Sequence, residues 1–141
     1  EARQRVLGPD HPDTLQSEAN WAGALAATEQ HEKAEEILVG VLARRREKLG
    51  SDNPRTLMTA HTLGSTLLAR GRPEEAAVLL RETFAARRAA LGPEHLETMN
   101  TGGVLARALS ETGAHGEAVR LLRQVVEVRT RELGAVHPEA T

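Results

Sequence analysis

Hydrophobic positions recur along this chain in blocks that repeat every 42 residues. The pair Leu-Gly occurs at residues 7–8, 49–50, 91–92 and 133–134. A similar short segment follows the first three pairs, and it reads His-Pro-Asp-Thr-Leu at 11–15, Asn-Pro-Arg-Thr-Leu at 53–57 and His-Leu-Glu-Thr-Met at 95–99. The fourth pair is followed by His-Pro-Glu at 137–139, which opens a further copy. A fixed period of this length is typical of repeat proteins, in which each copy is one small structural unit.

Each copy predicts two amphipathic helices. In the first helix, an apolar stripe with helical spacing contains Leu15, Trp21, Ala22 and Leu25, then Leu57, Leu63, Gly64 and Leu67, then Met99, Leu105, Ala106 and Leu109. In the second helix, the stripe contains Ala34, Ile37, Leu38, Val41, Leu42 and Leu49, then Ala76, Leu79, Leu80, Phe84 and Leu91, then Ala118, Leu121, Leu122, Val125, Val126 and Leu133. We expect one face of every helix to be buried.

Glycine, proline and asparagine punctuate these helices at the expected places. Gly50, Gly92 and Gly134 follow the last apolar residue of each second helix and predict its end. Gly71 and Gly113 predict tight turns inside the second and third copies. Pro12, Pro54 and Pro73 are predicted to occupy first helical positions, and Asn53 is predicted to be an N-terminal cap.

The chain therefore reads as one helical-repeat domain of 141 residues. Residues 1–8 resemble the tail of a preceding repeat, the repeats occupy 9–50, 51–92 and 93–134, and 135–141 resemble the start of a further repeat. Neither end carries the polar cap that repeat arrays normally need. We expect the chain to be part of a longer repeat protein and, in isolation, to self-associate through its uncapped ends.

Composition narrows the classes of partner. The formal net charge is −2 and aromatic residues make up only 1% of the chain, which argues against nucleic acid and anionic membranes as partners. There is no cysteine, so disulfides and thiolate chemistry are excluded for this sequence. No apolar run approaches the length of a membrane span, and no signal peptide is recognisable. A cytoplasmic location is the default expectation.

This sequence resembles the kinesin-light-chain-like branch of tetratricopeptide repeats in four features. They are the motif Leu-Gly-Pro-Asp-His-Pro-Asp-Thr-Leu at 7–15, the small residue Ala22, Ala34 twelve residues later and the 42-residue period. The resemblance implies an all-α fold, a right-handed superhelical solenoid of antiparallel helix pairs. It also implies a concave groove, lined by the first helices, that accepts a peptide or protein segment. Members of that branch carry an asparagine in this groove. Asn20 keeps it here, whereas Thr62 and Val104 replace it in the later copies.

The side of each first helix opposite its apolar stripe predicts the residues that would line such a groove. The candidate partner-binding residues are Gln16, Asn20, Met58, His61, Thr62, Ser65, Asn100 and Arg107, with Ala19, Gly23, Gly103 and Val104 between them. Amides and hydroxyls there could pair with the backbone of a segment, and Met58 offers an adaptable apolar contact. An ordinary solvated surface would carry the same mixture of small and polar residues.

One arginine recurs in every copy, three residues after an apolar position of the second helix, at Arg3, Arg45, Arg87 and Arg129. A charged group on the buried side of a helix needs a partner. We expect a structural role, in which the guanidinium bonds helix-end carbonyls or the loop acids Asp10, Asp52 and Glu94. A row of anion-binding sites is the alternative.

Candidate chemistry is sparse. Five of the six histidines, all except His61, occur one per loop or turn. None of the six has the spacing of zinc ligands, so we expect no metal, and no motif for a cofactor is present. His61 lies in the predicted groove, where a neutral contact is expected because no nucleophile or carboxylate accompanies it. The sequence therefore predicts that this chain is not an enzyme.

Gly102 and Gly103 interrupt the third first helix, and each costs about 1 kcal/mol relative to alanine in a helix interior. Either a neighbouring element approaches this helix closely, or the helix is soft.

These observations predict a protein-interaction scaffold that holds a protein or peptide in its groove or through its end faces. The alternative is the regulatory repeat arm of a multidomain signalling ATPase, in which the array controls assembly.

Overall fold

The computed structural model describes the backbone of residues 11–136 and the side chains of residues 11–131. In that part of the chain every regular element is an α-helix: α1 Pro12–Ala27, α2 His31–Leu49, α3 Pro54–Ala69, α4 Pro73–Leu91, α5 Leu96–Glu111 and α6 His115–Val136. The predicted all-α fold, with two helices per copy, is confirmed. None of the described helices is both long enough and apolar enough to cross a membrane.

The first helix of every copy begins at one capped position. The side chain of His11 accepts a hydrogen bond from the Asp13 N–H at 3.1 Å, Asn53 accepts from Arg55 at 3.0 Å, and His95 accepts from Glu97 at 3.1 Å. Such caps satisfy an N–H that has no partner within the helix. The prediction for Asn53 is confirmed. The two histidines serve as caps through Nδ1, which the sequence analysis did not recognise.

The second helices α2 and α4 end where glycine predicts. Gly50 and Gly92 follow them, each with a φ of 91°, which L-residues with a side chain rarely adopt. The prediction for Gly134 is wrong, because α6 continues to Val136. A single glycine disfavours a helix by only about 1 kcal/mol and does not forbid its continuation.

All three first helices end in the same hydrogen-bonding pattern. The backbone N–H of the residue two positions after the C-terminal cap donates to the carbonyl oxygen of the residue five positions before it. The bonds run from Gln30 to Leu25 at 2.8 Å, from Arg72 to Leu67 at 3.0 Å and from Ala114 to Leu109 at 2.8 Å. This motif needs a left-handed residue, which is glycine in the second and third copies. The first copy uses Glu29, with a φ of 66°.

The chain divides into two compact units, which we describe separately. Unit 1 is Glu1–Arg72 with helices α1 to α3, and unit 2 is Pro73–Thr141 with helices α4 to α6. In unit 1, α2 packs against both α1 and α3. In unit 2, α5 packs against both α4 and α6. The organisation as one domain stays a prediction.

Each unit has an apolar core built largely from the predicted stripes. In unit 1 it contains Leu15, Ala22, Ala34, Leu38, Val41, Leu42, Leu57, Ala60, Leu63, Leu67 and Leu68. In unit 2 it contains Ala76, Ala77, Leu80, Met99, Leu105, Ala106, Ala108, Leu109, Ala118, Leu121 and Val128. Burial of these side chains is the main favourable contribution to folding.

Some residues of the predicted stripes are exposed instead. Trp21 is 56% exposed, although Leu63 and Leu105, one and two periods later, are buried. Those leucines lie on α3 and α5, which pack on a preceding second helix, and the described residues contain no such helix before α1. Leu122 and Val126 are exposed because no described first helix follows α6. Self-association through these faces stays a prediction.

The last stripe residues of the second helices also reach the surface. Leu49 and Leu91 are the final residues of α2 and α4, and both side chains are exposed. A helix end has fewer neighbouring turns to cover a side chain than a helix interior has. The apolar spacing therefore overstates burial at these two positions.

The paired glycines of α5 have different surroundings. A Cβ atom on Gly102 would lie 3.0 Å from Cε1 of Phe84 and 3.2 Å from Cγ2 of Val125, whereas a Cβ on Gly103 would meet nothing within 4 Å. Close approach by neighbouring helices therefore explains Gly102. It does not explain Gly103, and softness of the helix stays a hypothesis.

Alanine substitution should separate these two glycines. We expect Gly103→Ala to stabilise the chain by about 1 kcal/mol, because it raises helix propensity in open space. Gly102→Ala should lose that gain to overpacking against Phe84 and Val125. Urea denaturation of both variants measures the difference, and equal stabilisation by the two substitutions would contradict the packing described for Gly102.

Glu29 should be a strained position. Left-handed backbone costs a residue with a side chain about 1 kcal/mol or more, part of which glycine recovers. We expect Glu29→Gly to raise the free energy of unfolding by roughly 0.5 kcal/mol. Glu29→Ala is the matched control, because it removes the carboxylate but keeps the strain. A gain of the same size in both variants would show that the side chain, not the backbone, sets the effect.

Candidate functional site

A surface cavity of about 230 Å³ lies in unit 1 and includes four of the predicted groove residues. We call it the groove cavity, and it is lined by Gln16, Ala19, Asn20, Gly23, Leu38, Arg45, Met58, Thr59 and Thr62. Its walls are the two first helices α1 and α3, and its floor is formed by Leu38 and Arg45 of the second helix α2. The helical spacing of 16, 20 and 23 places these residues on one side of α1.

A chain of hydrogen bonds runs from the floor of the groove cavity to its rim. Arg45 donates from Nη2 to Oε1 of Gln16 at 3.0 Å, and Gln16 donates from Nε2 to Oδ1 of Asn20 at 2.9 Å. Arg45 is only 2% exposed, whereas Asn20 is exposed. A buried group is thereby connected to a surface amide.

The other guanidinium nitrogen of Arg45 bonds the start of α3. Nη1 donates to the carbonyl oxygen of Arg55 at 3.2 Å and to Oγ1 of Thr59 at 2.9 Å. Thr59 in turn donates to the Arg55 carbonyl at 3.0 Å. These bonds hold α2 against α3, which is one of the two walls of the groove cavity.

The same bonds recur one period later in unit 2. Arg87 is 5% exposed and donates from Nη1 to the Glu97 carbonyl at 3.2 Å and to Oγ1 of Thr101 at 2.9 Å. The structural role expected for Arg45 and Arg87 is therefore observed. Their carbonyl acceptors belong to the first turn of the following helix, and the threonine acceptors were not anticipated.

The remaining expectations for this arginine row are only partly met. Within residues 11–136, neither Asp52 nor Glu94 forms an ion pair with these arginines, because the buried guanidinium groups turn toward the helix starts instead. Arg129 is exposed on α6. Arg3 and Asp10 lie outside the described residues.

The two buried arginines differ in their electrostatic surroundings. Burial lowers the pKa of Arg45, and the like charge of Arg55 lowers that pKa further. Burial also lowers the pKa of Arg87, but there the Glu97 carboxylate opposes the effect. The copy with the groove cavity thus has a second cation where the next copy has an anion.

Two arginines form ion pairs with Glu35 at the other end of the α2–α3 interface. Arg70 and Arg72 donate to the Glu35 carboxylate at 2.7 and 2.8 Å. Burial raises the pKa of Glu35, but the hydrogen bonds from the two arginines outweigh it and hold this pKa below its usual value. Both ends of α3 are therefore tied to α2.

The other predicted groove residues do not line the groove cavity. His61 and Ser65 are half-buried on α3, outside its lining. Asn100 and Arg107 are exposed on α5 in unit 2, where Nε of Arg107 lies 3.4 Å from Oε2 of Glu111. Leu38, Arg45 and Thr59 line the groove cavity but were not predicted there, because the predicted lining comprised only the outward sides of the first helices. The recurrence of Arg45 and Arg87 beside recurring threonines could have indicated them.

The described residues offer no evident metal site. No cluster of three or more His, Asp or Glu side chains there could hold a metal ion. His11 and His95 use Nδ1 to cap helices, as described above.

Comparison with known proteins gives the chain's relationships. One family model described as a tetratricopeptide repeat matches residues 14–89, and a second with the same description matches residues 98–139. No curated protein matches the chain.

Three solved structures share the fold. A singly substituted form of a Podosopora anserina protein, described as a kinesin light chain with nearly identical TPR-like repeats, is 31% identical with a TM-score of 0.80, and the match covers 93% of this chain and 62% of that one. A second structure with that description is 32% identical with a TM-score of 0.78, covering 92% and 62%. BtubC (BKLC) from P. vanneervenii is 15% identical with a TM-score of 0.84, covering 94% and 53%, and shows the fold alone.

The chain thus spans less than two thirds of each of these proteins. Its structural neighbours include kinesin-light-chain-like proteins, as the motif around His11 predicts. Since one family model alone covers more than half of the 141 residues, this chain belongs to the tetratricopeptide repeat family.

Proposed function

We propose that this chain is a protein-interaction scaffold whose groove cavity binds a peptide or an extended segment of a partner protein. Tetratricopeptide repeats generally serve as protein-interaction scaffolds, which supports the class of function. The observation that carries the proposal is the convergence of Gln16, Asn20, Met58 and Thr62 from two helices on one cavity.

The chemistry of the groove cavity suits a segment rather than a reactive small molecule. Asn20 offers an exposed amide for hydrogen bonds with peptide groups, and Met58 is an exposed, flexible apolar contact. From Gln16 to Gly23 the wall rises by about 10 Å along α1, which is roughly the length of three extended residues. Several residues of a partner can therefore contact it at once.

Filling the groove cavity with a large side chain should weaken binding. A Cβ on Gly23 would meet nothing within 4 Å, so Gly23→Trp should fold and fill the space between α1 and α3. We expect peptides selected from a random display library on the unaltered chain to bind this variant at least about tenfold more weakly, as measured by calorimetry.

Gly40→Trp is the matched control. Gly40 lies on α2, its Cβ position is also open, and it does not line the groove cavity. We expect this variant to keep the affinity of the unaltered chain. Selected peptides that bind both tryptophan variants as tightly as the unaltered chain would place recognition elsewhere and refute the proposal.

A further inference from the structure

His95 caps α5 with an atom that can accept a hydrogen bond only while the imidazole ring is neutral. Its Nδ1 accepts from the Glu97 N–H at 3.1 Å, so this nitrogen carries no hydrogen. A neutral ring has one accepting and one donating nitrogen, whereas both nitrogens of a protonated ring donate. Turning the protonated ring over therefore cannot restore the cap. The bond at the start of α5 depends on whether one side chain holds a proton.

The equivalent cap of the second copy has no such dependence. Asn53 accepts from the Arg55 N–H at 3.0 Å through its amide oxygen, which does not titrate. The backbone at the two caps is nearly the same, with a φ of −63° at Asn53 and −69° at His95 and a ψ of 138° at both. In each copy the first helical bond returns to the cap: Leu57 donates to the Asn53 carbonyl at 2.9 Å, and Met99 to the His95 carbonyl at 3.0 Å. The two helix starts thus share one geometry but differ in whether the capping atom can be protonated.

The charged groups around His95 act on its ring in opposite directions. On its own segment, the Glu94 and Glu97 carboxylates favour a positive ring, but both side chains are exposed, so water screens their attraction. On α4, Arg87 donates to the Glu97 carbonyl at 3.2 Å and Arg88 lines a small cavity beside the α4–α5 linker. These two guanidinium groups and the positive end of the helix dipole disfavour a positive ring.

Helix α6 adds little charge at this place. Its residues that line the cavity beside the linker, Gln124 and Val125, are uncharged. The next charged side chains along its described part are all exposed, and they are Glu127, Arg129 and Arg131. Two screened carboxylates are therefore opposed by two guanidinium groups and a helix dipole, and the loss of the cap bond decides the effect of protonation.

The turn that His95 caps also attaches α5 to α4. Arg87 is buried and donates to the Glu97 carbonyl and, at 2.9 Å, to the Thr101 hydroxyl. The Glu97 carbonyl belongs to the first turn of α5. Fraying of this turn therefore displaces one of the two acceptors of a buried charge, which is costly.

We propose that His95 is a proton-sensitive cap, which releases the first turn of α5 on acidification and thereby weakens the Arg87 attachment of α5 to α4. The start of α3, which Asn53 caps, does not respond. The unfolded chain takes up the proton without losing a cap bond, so acidification favours unfolding. The response falls around about pH 6.5, where imidazole groups titrate. The inference is independent of the proposed function, because the groove cavity lies in unit 1.

Exchanging the two caps tests the proposal. His95→Asn gives the third copy the cap of the second, and Asn53→His does the reverse. Urea denaturation at about pH 7.5 and about pH 5 gives, for each chain, the ratio of the unfolding equilibrium constants at the two pH values. Because a lost cap bond changes such a constant by about fivefold, we expect a ratio about fivefold smaller in His95→Asn than in the unaltered chain, and about fivefold larger in Asn53→His. All other titrating groups, His11 among them, are common to the three chains.

His115→Asn is the matched control. His115 is also exposed at the start of a helix in unit 2, but its Nδ1 faces the Ser110 hydroxyl at 3.4 Å. A hydroxyl can donate to a neutral ring and accept from a protonated one, so this contact tolerates both states. We expect the ratio of the unfolding constants in His115→Asn to equal that of the unaltered chain.

Amide hydrogen exchange locates the released turn. On acidification of the unaltered chain, the protection factor of the Met99 N–H should fall about fivefold relative to that of the Leu57 N–H, and this relative loss should be absent in His95→Asn. Equal losses at the two amides would refute the release of the first turn. An unchanged or larger ratio of unfolding constants in His95→Asn would show that the nearby carboxylates outweigh the cap bond and would overturn the proposal.

Discussion

Everything in this structure depends on how a second helix is attached to the first helix that follows it. The apolar stripes supply most of the attraction, but apolar contacts alone allow small slips between helices. The buried guanidinium of Arg45, and that of Arg87 one period later, allow far less freedom. Each must find a backbone carbonyl and a threonine hydroxyl in the first turns of the next helix, because a buried charge without hydrogen bonds is costly. The register of the two helices is thereby specified.

The groove cavity is a consequence of this attachment. Tying α2 to the start of α3 leaves α1 and α3 as walls above a floor that contains Leu38 and Arg45. The arginine that specifies the packing is therefore also connected by hydrogen bonds, through Gln16, to Asn20 at the rim of the groove cavity. One difference between copies, Arg55 where Glu97 stands later, changes the electrostatics without changing the hydrogen bonds. Repetition thus maintains these hydrogen bonds while a single position changes the charge beside the buried arginine.

The sequence predicts the helices well because their signals are local and repeated. The proline, asparagine and glycine positions at Pro12, Asn53 and Gly50 mark helix ends through the backbone chemistry of a few neighbouring residues. Burial is less predictable, because it depends on what lies next to a helix. Trp21 has the spacing of a core residue, but the described residues contain no second helix before α1 to cover it, and it is 56% exposed. The floor of the groove cavity was not predicted for a similar reason. Arg45 belongs to a second helix, whereas the predicted lining comprised residues of the first helices only.

A double-mutant cycle between Arg45 and Thr59 measures how strongly the guanidinium holds α2 to α3. The free energies of unfolding of the unaltered chain, Arg45→Met, Thr59→Val and the double variant give the coupling between the two side chains. We expect a coupling of about 1 kcal/mol or more, since a buried hydrogen bond from a charged donor joins the two side chains. Additive effects, with a coupling indistinguishable from zero, would show that the guanidinium does not hold α2 to α3 and would contradict the account.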